Sequence, residues 1–284
     1  MSIWLQPEPH EWWVLVEQAM TEDIGHGDIT GGCIPADQVS DWFIEAQDDG
    51  ILSGAGIIEH LLGPYASDPE TSSIEIRKND GDKIRRGDVI AEGKHLTRRI
   101  LMSERTILNF VMHMSGVATL TNQFVIRVEG TEAKIIDTRK TIPCIRSLQK
   151  YAVRCGGGYN HRMGLYDAAL LKDNHIAASG SIRKAVAELK KYVSHMTKIE
   201  VECESLDQVE EAINAGADVV LLDNMDPFMM REAVQKFKDD VLFEASGGIG
   251  LDTVRGVALT GVHLISIGAL THSAPALPFH LEFE

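Results

Sequence analysis

The chain has 284 residues, is 44% hydrophobic and carries a formal net charge of -15. That length and apolar content suffice for a large core in one or two domains and exclude intrinsic disorder, while no window approaches the roughly 20 apolar residues of a membrane span. The acidic balance argues against nucleic acid, because counterion release rewards broad basic surfaces, so the expected ligand is small.

The opening MSIWLQPEPHEWW has neither a basic n-region nor an apolar h-region, which sets a cytoplasmic expectation. Cys33, Cys144, Cys155 and Cys203 show no paired metal spacing and read as ordinary small hydrophobes. Residues 11 to 20, EWWVLVEQAM, carry apolar residues at helical spacing, with Trp12 and Trp13 expected in a core, and lead into the polar loop TEDIGHGDIT. WFIEAQ, SIEIRK and NDGDKIRRGDVIAEGKH read as short strands. Between them come the glycine-rich turn ILSGAGI and turns at Asp80-Gly81 and Arg86-Gly87. This first part therefore reads as a small α+β domain.

A long amphipathic helix is expected from Thr97 to Leu120, with Leu101, Leu108 and Val111 on one stripe and Ile107, Met114 and Ala118 on another. Within it, Glu104 and Arg105 read by spacing alone as an exposed pair without function. After Gly130, strand and helix alternate, the signature of a parallel βα fold. The apolar runs are 134–136, 169–171, 199–201, 219–222, 241–243 and 264–267, separated by helical stretches such as SIRKAVAELKKYV and SLDQVEEAINAGA. They end in Asp137-Thr138-Arg139-Lys140, Lys172-Asp173-Asn174-His175, Glu202, Asp223-Asn224, Ser246-Gly247-Gly248 and Gly268-Ala269. Cations, carboxylates and glycine turns gathered at one edge are the ordinary makings of a barrel active site.

Against the acidic whole, residues 137–176 concentrate cations, which an anionic ligand would explain. Arg146, Lys150 and Arg154, at helical intervals, read instead as a solvated helix face. Arg139 and Lys140 follow the run ending at Ile136, and Lys172 follows Leu170-Leu171, where open sheets and barrels bind ligands. Glu202 and Asp223 suit one hard divalent cation that keeps several waters, as magnesium does beside phosphate; each also suits a helix cap. Ser246-Gly247-Gly248 and Gly268-Ala269 offer bare backbone N–H groups to a phosphomonoester. The forks of Arg139 and Arg162 match a dicarboxylate, with His161 placed to orient it, while His175 divides evenly between that work and a core histidine satisfied by backbone. The residues point to group transfer between a phosphorylated, metal-bound ligand and a carboxylated one.

EDIGHGDIT (22–30), ERTILNF (104–110), DTRKTIP (137–143), KYAVRCGGGYNHRMGLYDAALLKDNHI (150–176), IEVECES (199–205), VVLLDN (219–224), EASGGI (244–249) and ISIGALTHS (265–273) closely resemble quinolinate phosphoribosyltransferases. The resemblance implies a type II phosphoribosyltransferase fold: an N-terminal α+β domain over 1–115 and an open α/β barrel over 116–272, with the tail 273–284 returning to the first domain. It implies transfer from 5-phosphoribosyl-1-pyrophosphate to quinolinate with decarboxylation, giving nicotinate mononucleotide, pyrophosphate and carbon dioxide in NAD biosynthesis, with Mg2+ held by Glu202 and Asp223. Arg105, Thr138, Arg139, His161, Arg162 and Lys172 would bind quinolinate or its neighbourhood. Lys140, Glu202 and Asp223 would serve the magnesium pyrophosphate and ribose, with Lys140, Lys172, Glu202 and Asp223 catalytic. Ser246 to Gly248 and Ile267, Gly268 and Ala269 would hold the 5-phosphate. The family is homodimeric, with Arg105 reaching the partner's site, which gives that arginine a role its spacing alone does not. A phosphoribosyltransferase for nicotinate and a binding protein that keeps the pocket without turnover are the rivals; carbon dioxide and pyrophosphate release separate them.

Overall fold

The computed structural model describes residues 9–64 and 72–283, so the opening Met1 to Glu8, on which the cytoplasmic expectation partly rests, and the last tail residue, Glu284, lie outside the described residues. The elements in chain order are α1 (Pro9–Ile24), β1 (Val39–Ala46), β2 (Gly50–Ile51), α2 (Ala55–Leu62), β3 (Ser73–Ile76), β4 (Lys83–Ile84), β5 (Val89–Leu96) and α3 (Thr97–Val128). Then come β6 (Lys134–Ile136), α4 (Arg146–Cys155), β7 (Ala169–Leu171), α5 (Asp173–Ser179), α6 (Ile182–Tyr192), β8 (Ile199–Cys203), α7 (Leu206–Ala215) and β9 (Val219–Asp223). The chain closes with α8 (Pro227–Phe237), β10 (Leu242–Ser246), α9 (Val254–Ala258), β11 (Leu264–Ser266), α10 (Ala269–His272) and β12 (Phe279–Phe283). None of the helices is long and apolar enough to cross a membrane, among the described residues.

Two compact units result. The first takes in the chain up to Asn122 together with Thr141–Gly157 and the chain from Leu270; the second is Gln123–Lys140 with Gly158–Ala269. The first unit holds an antiparallel sheet in the order β12-β1-β5-β3, in which Ala46 faces Phe279 and Trp42 faces Phe283, so the end of the chain supplies an edge strand. Helix α1 buries Val16 and Met20, four residues apart on one face. The expected tryptophan core is not there. Trp13 is 44% exposed and stacks on His60 of α2 at 4.9 Å, and Trp12 meets the same ring edge-on at 5.5 Å.

The stretch ILSGAGI turns only at Gly54, which takes φ 111, and then starts α2. Asp80, from the turn before β4, accepts the Gly54 and Ala55 amide hydrogens at 2.9 Å each and the Tyr151 hydroxyl at 2.8 Å, so a distant carboxylate caps that helix. Helix α3 runs to Val128 rather than Leu120, since no breaker intervenes before Gly130, at φ 77. Lys150 is 1% exposed, contrary to a solvated cationic face. Helix α4 also buries Leu148, Gln149, Tyr151, Ala152 and Val153, which leaves little of its surface to water.

The second unit is a six-stranded sheet, β6-β11-β10-β9-β8-β7, with every pairing parallel. Its strands coincide with the six apolar runs. The edge strands β6 and β7 are not paired with each other, so the barrel is open. One face of each strand, carrying Val201, Val220, Leu222, Phe243 and Ala245, is wholly buried. Phe243→Ala should therefore lower the unfolding free energy by about 3–5 kcal/mol, the usual cost of emptying an aromatic site. Chemical denaturation reads it, and a loss under about 1 kcal/mol would show that this face does not carry the unit's core.

Candidate active site

Strand register assembles the site. Leu171 of β7 lies opposite Val201 of β8, which puts Lys172 beside Glu202; Glu202 lies opposite Leu221 of β9, two residues before Asp223; and Asp223 lies opposite Ser246 of β10. Side chains two apart share a face, so Lys172, Glu202, Asp223 and Ser246 rise on the same side at the C-terminal rim. The Lys172 ammonium donates to Glu202 Oε2 at 2.8 Å. Neither rim carboxylate caps a helix: the Ser205 hydroxyl caps α7, and Asp226 accepts from Phe228 and Met229 at the start of α8. The capping alternative for Glu202 and Asp223 therefore falls away.

Two residues back on the same face stand Glu200 and Glu244, 7% and 2% exposed. The His161 ring meets both, its Nε2 3.1 Å from Glu200 and 3.7 Å from Glu244. Its Nδ1 accepts the Arg162 amide hydrogen at 2.6 Å, so the ring hydrogen belongs on Nε2 and points at Glu200. Burial, then the charge of Glu200, pushes the Glu244 carboxyl well above its ordinary range. The ligand atoms of these three groups lie within 4.8 Å of one another, a spacing a metal ion could use.

Above this floor, the fully buried Asp137 accepts from the His161 amide at 2.9 Å and from the Asn160 side chain, pinning the Asn-His-Arg segment to the end of β6. Arg162 donates to the Ala168 carbonyl at 3.0 Å. Burial, then the neighbouring charge of Arg139, pulls the Arg162 guanidinium below its ordinary value. That arrangement leaves the Arg162 fork suited to an anion. Thr138 Oγ1 accepts the Lys140 amide at 2.9 Å, shaping the turn that leaves Arg139 and Lys140 exposed.

Gly247 and Gly248 take φ 102 and 60, conformations that side chains resist, so the turn after Ser246 is open backbone. Ile267 donates its N–H to Ile136 at 3.0 Å and buries its side chain, ending the strand from which Gly268 and Ala269 follow. His175 is exposed rather than core; its Nδ1 accepts the Lys172 amide at 3.0 Å. Arg105 lies on α3 in the other unit, 61% exposed and 3.9 Å from Glu104. For a divalent cation, Glu202 and Asp223 fit best: hard oxygens on adjacent strands at an accessible rim, able to leave coordination positions to water and phosphate.

Sequence reading named Asp137 and Asn224 only as polar strand ends and gave no role to either, nor to Glu200 and Glu244. The signal for the two glutamates was present, since a carboxylate inside the apolar strands IEVEC and LFEAS is too costly to be ornamental.

Family models described as quinolinate phosphoribosyl transferase, N-terminal domain, and quinolinate phosphoribosyl transferase, C-terminal domain, match residues 28–115 and 117–282. A probable nicotinate-nucleotide pyrophosphorylase [carboxylating] of Bacillus subtilis is 44% identical over 268 residues, 94% of this chain and 92% of that protein. Quinolinate phosphoribosyltransferase [decarboxylating] 2b, mitochondrial, of Nicotiana tabacum is 36% identical over 306 residues, covering 100% and 86%. Among solved structures, the nicotinate-nucleotide pyrophosphorylase from Francisella tularensis superimposes with a TM-score of 0.91 at 38% identity over 100% of both chains.

The raised Glu244 carboxyl yields a pH test. A carboxyl whose folded-state value is raised lends stability that is complete below its unfolded value and lost as pH rises through the folded one. Glu244→Gln keeps the shape and the donor but cannot ionise, so the variant should lose less stability than the parent as pH rises from about 4.5, the ordinary carboxyl value. Denaturant titrations across pH decide it, and parallel curves for both proteins would refute the raised Glu244 carboxyl.

Proposed function

Because this chain belongs to the quinolinate phosphoribosyltransferase family across both of its domains, we propose that the strand-end basin of the second unit is where quinolinate and 5-phosphoribosyl-1-pyrophosphate meet. The enzyme is a decarboxylating phosphoribosyltransferase of NAD biosynthesis, forming nicotinate mononucleotide, pyrophosphate and carbon dioxide. The observation that best supports the location is the strand register that brings Lys172, Glu202, Asp223 and Ser246 to one rim, with Lys172 Nζ 2.8 Å from Glu202.

In this reading Arg139 and Arg162 grip the carboxylates of quinolinate, with Lys172 beside them and His161 beneath, held by Glu200. Ser246 to Gly248 and the backbone at Ile267 to Ala269 receive the 5-phosphate. Glu202 and Asp223 would hold Mg2+, which when bound neutralises charge on the pyrophosphate. Lys140, exposed after the Thr138 turn, reaches the same leaving group. The C1–O bond breaks with its electron pair going to pyrophosphate, and the pyridine nitrogen lone pair forms the new bond to C1. The ring nitrogen, now cationic, accepts the electrons of the departing 2-carboxylate, and the ring carbon takes a proton. The protein's work is position and charge rather than covalent chemistry.

Partner exchange is part of the proposal. Arg105, exposed and only loosely paired at 3.9 Å, is free to serve the site of a second subunit in a homodimer.

Incubating the protein with quinolinate, magnesium and phosphoribosyl pyrophosphate should release carbon dioxide and the mononucleotide together; activity on nicotinate instead would reassign the substrate. Lys140→Ala should lower turnover roughly 100-fold or more, the scale for losing one charge-stabilising donor, with the fold intact. Mixing inactive Arg105→Ala with inactive Lys172→Ala should restore about a quarter of parental activity, since half the dimers are then hybrids with one intact site. No recovery after subunit exchange would remove the shared-site dimer.

A further inference from the structure

Asn224 follows the last residue of β9 and takes φ 52, left-handed backbone that asparagine tolerates better than most residues. Three contacts converge on it. Its side-chain amide donates to Asp223 Oδ2 at 2.8 Å. Its backbone N–H donates to the Ser246 carbonyl at 2.9 Å. Its side-chain carbonyl fills the space over Gly247, where a Cβ would come within 2.2 Å of Oδ1 and 2.5 Å of Cγ. Gly247, at φ 102, is therefore glycine on two counts, conformation and room.

We infer that Asn224 is a positioning residue that latches the carboxylate of Asp223 to the Ser246–Gly248 turn, so that the pyrophosphate end and the 5-phosphate end of one donor molecule are set by a single side chain. The inference rests on the functional reading above. An ionised carboxylate at the end of a strand has two free torsions, and a donor at 2.8 Å removes one of them. The left-handed backbone is what aims the side chain back at its own neighbour, since a residue continuing the strand would send it to the opposite face. Its N–H continues the parallel ladder between Asp223 and Ser246, and its side-chain amide occupies the space over Gly247. The nicotinate precursor's own pocket, built on Arg139 and Arg162, makes no use of Asn224.

Asn224→Gly separates the parts of this device, because glycine accepts the left-handed backbone while the amide is lost. The full-length variant should show KM for phosphoribosyl pyrophosphate raised about tenfold, the scale for losing a hydrogen bond to a charged group, with KM for quinolinate within about twofold of the parent. Calorimetric affinity for magnesium pyrophosphate, which needs no turnover, should fall by a similar factor. Gly247→Ala, which drives the amide out of its seat, should give the same one-sided defect. Parental constants in Asn224→Gly, or equal losses for both substrates, would overturn the inference. A parent protein that releases no mononucleotide at all would instead sink the family reading on which it stands.

Discussion

The constraint on which this site depends is the in-register parallel pairing of β7, β8, β9 and β10. Slip one strand by a single residue and every side chain on it changes face. Val201, Leu222, Phe243 and Ala245 fill one side completely, so the apolar packing of that side is what fixes Lys172, Glu202, Asp223 and Ser246 on the other. The chemistry is thus held by residues that never touch it, and the functional groups need contribute nothing to folding.

Electrostatics does the rest in two layers. In the deeper one, two buried carboxyls would be costly if both ionised; burial and the charge of Glu200 hold Glu244 well above its ordinary range, and His161 Nε2 lies 3.1 Å from Glu200. That ring in turn fixes the amide of Arg162. In the upper layer the balance reverses. Arg139 and Arg162 repel one another, and Lys172 has a single carboxylate for company. In a protein of net charge -15, the strand ends carrying Arg139, Lys140 and Lys172 are locally rich in cations, which suits two reactants that both bring negative charge.

Much of this was legible in the sequence because a buried parallel strand leaves an unmistakable trace: a short apolar run whose last residue is suddenly polar. Each such run became a strand, and its polar end reached the rim. The long helix was visible for the same reason, through the stripe Ile107, Met114, Ala118. What periodicity could not show was context. Lys150 has the spacing of a solvated face, yet its helix is enclosed, and only tertiary packing says so. Trp12 and Trp13 are both apolar, yet both rings gather on His60 and Trp13 stays 44% exposed, a packing that periodicity does not encode. Glu200 and Glu244 were hidden inside strands otherwise read as uniformly apolar, and the latch at Asn224 depends on a backbone angle that no pattern of residue types encodes.

The central claim is that one rim binds both anions at once. A crystal structure of the protein with quinolinate, magnesium and an unreactive phosphoribosyl pyrophosphate analogue tests it directly. The account predicts quinolinate carboxylates against Arg139 and Arg162, a cation between Glu202 and Asp223, and the 5-phosphate on the turn at Ser246 to Gly248. Density for either reactant elsewhere, with this rim holding only water at saturating ligand, would contradict it.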